Sequence, residues 1–94
     1  MSIVRIEKTR LQWVGTCDEG KQLEIVAVDA NGKDIDDVSY PLARIFAEDQ
    51  DETLIFEMYT DKGIVHIPVA DIQNMLKLAD EDVHSEAWYE RNVY

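Results

Sequence analysis

Cysteine is nearly absent. Cys17 stands alone among 94 residues, so no internal disulfide can form and a disulfide-stapled secreted scaffold is excluded. Long apolar runs are missing too, and none approaches the ~20 residues a membrane-spanning helix needs. The opening Met1-Ser2-Ile3-Val4-Arg5 carries no long apolar signal core, so the expected location is the cytoplasm. Glycine occurs only four times and is spread over turns, which leaves no glycine-rich phosphate loop. Cations are scarce: nine Lys and Arg stand against 20 Asp and Glu, a formal charge of −11. So acidic a chain repels nucleic acid and anionic membrane surfaces, which leaves basic proteins or cations as its electrostatic partners.

What is present describes one domain spanning 1–94. The hydrophobic share, 46%, is too high for a disordered tail. A chain of this size buries roughly 60–65% of its unfolded surface, enough for one modest core. Turn signals at Asp18-Glu19-Gly20, Asn31-Gly32 and Asp61-Lys62-Gly63 separate short β-like runs. The first predicts a hairpin with Trp13 opposite Ile25 and Leu11 opposite Ala27. Its apolar face would hold Leu11, Trp13, Cys17, Leu23, Ile25 and Ala27, with Cys17 as a small core thiol. The second, read as a two-residue turn, would set Ile25 opposite Val38 and Leu23 opposite Tyr40. Asp34, Asp36 and Asp37 weaken that returning strand, and Asp29 would oppose Asp34, so it is expected to be short, irregular or bulged.

Pro41 suits a first helical turn, and Leu42, Ile45 and Phe46 follow at helical spacing, predicting a short helix over 41–48. Residues 53–60 read as a strand with Leu54, Phe56 and Met58 inward. Residues 64–69 return with Val65, Ile67 and Val69 inward and His66 outward beside Tyr59. Pro68 cannot donate to a ladder, so this strand lies at an edge or ends there. Val69, Ile72, Leu76 and Ala79 predict an amphipathic helix over 69–79, with Met75 beside them. Asp80-Glu81-Asp82 interrupts that pattern, and a second helical piece follows over 83–91 with Ser85 as its N-cap. The expected class is α+β: an antiparallel sheet of about five strands, a meander plus a hairpin, with helices packed on one face.

Catalytic chemistry finds no foothold. Only Ser2, Ser39, Ser85 and Cys17 could serve as nucleophiles of these types, and none sits in a recognisable elbow or dyad. Residues 29–37, "DANGKDIDD", fail as a calcium loop, because Lys33 would occupy the fifth ligand position and Asp34 the glycine position. His66 and His84 have no cysteine pair near them and make no zinc pattern. The expectation is therefore a protein without enzymatic activity, cofactor or metal.

The positive signal is charge asymmetry. Residues 29–61 hold ten acids against Lys33 and Arg44, whereas residues 1–28 are neutral. Within that third, "AEDQDE" (47–52) places four carboxylates in six positions. Such a field repels itself and weakens the folded state unless a basic partner offsets it. It also speeds capture of a cationic surface. Asp34, Asp36, Asp37, Glu48, Asp49, Asp51 and Glu52 are the candidate contacts, expected on one exposed patch. Small acidic α+β proteins of the immunity class, which neutralise bacterial toxins such as nucleases, fit by charge and size, with no shared motif. The alternative is a structural or regulatory module, for which a homodimer joined through a sheet edge is one form. Tyr40, Tyr59, Trp88, Tyr89 and Tyr94 are aromatic anchors available to an interface. For Trp88, a tail folded back over the sheet is the favoured reading.

Overall fold

The computed structural model describes residues 3–17 and 20–92, apart from the side chain of Thr16. Met1, Ser2, Asp18, Glu19 and Tyr94, named above, lie outside the described residues. Five strands, β1 (Lys8–Thr16), β2 (Gly20–Val28), β3 (Ala43–Ala47), β4 (Leu54–Thr60) and β5 (Gly63–Pro68), precede the helices α1 (Val69–Asp82) and α2 (Glu86–Asn92). The strands form one antiparallel sheet in chain order. The α+β class and the five-strand count stand as expected.

The first hairpin forms with a shifted register. Trp13 lies opposite Leu23 and Leu11 opposite Ile25. The connection sits one residue earlier than predicted, and Gly20, at φ 73°, is already paired with Thr16. A slip of two residues keeps Leu11, Trp13, Leu23, Ile25 and Ala27 on their expected face.

The second turn ends the ladder instead of extending it. Asp29 Oδ1 accepts from the amides of Asn31 (2.8 Å) and Lys33 (3.0 Å). This side-chain turn competes with strand pairing, which is reduced to a single bridge between Val28 and Asp34. The predicted Ile25–Val38 and Leu23–Tyr40 pairs are absent. Ile25 instead faces Ala43, and Leu23 faces Ile45.

The helix predicted over 41–48 is therefore strand β3. Five residues cannot distinguish the two periods, and backbone demand decides between them. As a strand, Ala43–Ala47 satisfies the edges of both β2 and β4. The Tyr40–Pro41 peptide bond before it is cis.

Strands β4 and β5 form as predicted, and the edge strand β5 closes at Pro68. Their inward set, however, is not the core. Leu11, Trp13, Leu23, Ile25, Ala27, Phe56, Met58, Val65 and Ile67 do share one face by register. That face is open: Leu11 is 63% and Trp13 66% exposed. Cys17 is exposed as well, not a core thiol.

The larger buried aliphatic side chains lie on the opposite face, where Val26 is 1% exposed and Val28 and Ile55 are also buried. The 29–42 segment reaches back over this side. Asp34 contacts Arg10 at 2.7 Å and the Tyr40 hydroxyl lies 3.4 Å from Gln12 Nε2.

Helix α1 runs through Asp80-Glu81-Asp82 without interruption. It touches β4 and β5, yet no residue of either helix is buried. The helices thus do not form a covering layer, and the molecule is drawn out to 58 × 36 × 27 Å. Ser85 caps α2, its Oγ accepting from the Trp88 amide at 3.2 Å. The Trp88 ring stacks on His84 at 3.7 Å between centroids and meets Tyr89 edge-on, forming an aromatic corner between the helices.

Candidate functional site

The candidate acids fall into two groups. Asp34, Asp36 and Asp37 lie in the β2–β3 connection, beyond the end of β2. Glu48, Asp49, Asp51 and Glu52 form the β3–β4 turn at the other end of the sheet. Seven residues of β2 separate the two levels, roughly 20 Å at strand rise. The single patch expected from the sequence is therefore not assembled. Asp34 is moreover already paired with Arg10 of the same chain, at 2.7 Å on the surface.

The 48–52 turn is a defined structure. The Glu48 amide donates to the Thr53 carbonyl and the Glu52 amide to the Glu48 carbonyl, each at 2.9 Å. Glu52 takes a left-handed backbone at φ 60°. The Asp51 carboxylate accepts from the Thr53 amide at 3.0 Å, and Thr53 holds its carboxyl below the usual range. All four acids are exposed, and no ion pair involves them among the described residues. Lys21, the neighbouring cation, places its ammonium 4.5 Å from the centre of the Trp13 ring instead.

A second constellation escaped the sequence reading. Gln12, Glu24, Arg44, Glu57 and His66 stand directly opposite one another, one per strand, across the whole sheet. Glu57, 5% exposed, is the hub. Its Oε1 accepts from Arg44 Nε at 2.6 Å and from the Tyr59 hydroxyl at 2.7 Å, and its Oε2 lies 2.7 Å from His66 Nε2. Arg44 also donates to Gln22 Oε1 at 2.8 Å. Burial pushes the Glu57 carboxyl up, but Tyr59, His66 and Arg44 together outweigh it and bring it down to about 2. Burial and the Glu57 bond push the Tyr59 hydroxyl up.

No buried polar side-chain atom lacks a hydrogen bond among the described residues. The row acts as a satisfied structural network that lets charge cross the buried face. A lone glutamate at the centre of "TLIFEMYT" was its available signal, with His66 already expected beside Tyr59.

The third feature is the open apolar face. It carries a depression of about 130 Å³ lined chiefly by Leu11, Leu23, Ile25, Ala43, Ile45 and Phe56. Among its strand residues only Lys21, at the hairpin end, is ionisable.

No described helix is long and apolar enough to cross a membrane. No family model matches the chain, and neither a curated protein nor a solved structure matches it significantly.

Proposed function

We propose that this chain is a non-catalytic binding protein that engages a basic protein, as an immunity-type inhibitor engages a toxin such as a nuclease. The observation that carries this reading is the 48–52 turn. Four exposed carboxylates are held on one backbone-bonded turn, and no described cation forms an ion pair with them. Their mutual repulsion does nothing for the fold, and a cationic surface would relieve it. The Asp34, Asp36 and Asp37 group lies at the far end of the sheet, so the reading concentrates on Glu48, Asp49, Asp51 and Glu52. Low-salt capture from a lysate, with mass spectrometry, tests it. Basic proteins held by the wild type and released by salt are expected to be lost from the E48Q/D49N/E52Q variant. Equal retention by both proteins refutes the reading.

A second reading is a structural or regulatory interaction module without inhibitory activity. It is favoured by a different observation, the uncovered apolar sheet face.

A further inference from the structure

We infer that the apolar sheet face is the contact of a homodimer, formed by two copies of this chain packed face to face. The inference rests on the interaction-module reading, whose occupant it names, and is independent of the inhibitor reading.

Area is the first argument. The chain exposes 7864 Å². A folded monomer of its mass, 10.8 kDa, exposes about 5,500 Å² by the usual scaling. The excess, roughly 2,300 Å², is shared among the sheet face, the uncovered helices and residues 3–7, and an obligate dimer interface takes about 1,000 Å² or more of it from each chain. The radius of gyration, 16.9 Å, likewise exceeds the ~12 Å expected of a compact domain this long.

Continuity is the second argument: the sheet face is one continuous part of the exposed apolar surface, which also includes Ile3 and Val4 before β1 and Met75, Leu76, Leu78 and Val83 on and after α1. Leu11, Trp13, Leu54 and Val65 are exposed on one sheet face, beside half-buried Leu23, Ile25, Ile45, Phe56, Met58 and Ile67. A continuous apolar sheet face is the inner layer of a sandwich, and a second sheet at about 10 Å completes it.

Charge identifies the occupant. The acids that would draw a basic partner sit in turns at the two ends of the sheet, not on this face. Charge is confined to its margin, where Lys21 sits beside Asp49 and Glu52 at the end near Ala47. An almost charge-free patch is complementary to itself, as a two-fold contact requires. A second copy is also present whenever the chain is made, so the face need never meet water.

Sedimentation of the full chain tests the inference. A mass of two chains is expected across a roughly thousandfold dilution series, with little weakening at high salt, because apolar contact is poorly screened. Leu11→Glu should give a folded monomer by circular dichroism, with the dissociation constant raised about 100-fold or more. Ile64→Glu, at a similarly exposed position (64%) on the other face, should remain a dimer.

Should Leu11→Glu fail to fold, Trp88→Phe isolates Trp13 as a fluorophore. Its emission must shift to the red as dilution halves the mass, and unchanged emission through that transition overturns the face. A dimer that persists in folded Leu11→Glu overturns it as well. A wild-type chain with the mass of one protomer throughout overturns the homodimer. In that case strong binding of an apolar dye leaves the interaction-module reading standing with another occupant. Absence of dye binding removes both.

Discussion

Glu57 lies directly across the β4–β5 ladder from His66, with His66 Nε2 2.7 Å from Glu57 Oε2. An ionised carboxylate only accepts, so the imidazole proton resides on Nε2. The pair ends a row that includes Glu24 and Arg44, and it explains how a carboxylate survives at the middle of a buried strand face. Hydrogen bonds and opposite charge from Arg44, Tyr59 and His66 replace the lost water.

Acid should weaken this network. The Glu57 carboxyl is held at about 2, below its ordinary 4.5. Its contribution is fully present above the unfolded value and is lost as pH falls from there through the folded one. Urea unfolding from pH 7 to pH 2 is expected to show stability falling across that window. Glu57→Gln should flatten the fall and lower stability at pH 7 by about 3 kcal/mol. An unchanged profile would detach Glu57 from acid sensitivity.

Arg44 and Glu57 should prove energetically coupled. Arg44→Ala alone leaves a buried carboxylate short of its cation and is expected to cost about 3–5 kcal/mol. Adding Glu57→Gln removes the stranded charge, so the double variant should lose less than the two single losses together. A double-mutant cycle measures the coupling, expected at about 1–3 kcal/mol.

Positions on the covered sheet face should respond to truncation according to their burial. Val26→Ala removes buried carbon and is expected to cost about 2 kcal/mol or more. Val14→Ala, at a half-buried position on the same face, should cost less. Thermal unfolding of both variants checks the order.

Asp51 differs from its acidic neighbours. It holds the Thr53 amide, whereas Glu48, Asp49 and Glu52 make no described side-chain ion pair. Asp51→Ala is expected to lower stability slightly and to speed amide exchange at Thr53. The E48Q/D49N/E52Q variant should stay within about 0.5 kcal/mol of wild type, or gain slightly at low salt.

Ser85→Ala should loosen α2 by about 1 kcal/mol through loss of its cap. Weakened stacking of Trp88 on His84, read by near-ultraviolet circular dichroism, reports the loss.

Local terms were enough to determine much of this chain. Alternation placed Leu11, Trp13, Leu23 and Ile25 on one face even though the register slipped, because a slip of two residues preserves parity. Pro68 marked the end of the edge strand, and Ser85 the start of the last helix, since each acts on its own backbone neighbours. The acids of 48–52 were legible as an exposed turn for the same reason. Tertiary structure alone decided that 43–47 is a strand, because the demand comes from unpaired groups on β2 and β4. That choice also sent the two acidic groups to opposite ends of the sheet. It decided which face is covered as well. Periodicity says which side chains stand together, but not where a distant segment will lie, and here the 29–42 connection came back against Arg10 and Gln12 on one face while the apolar face stayed open.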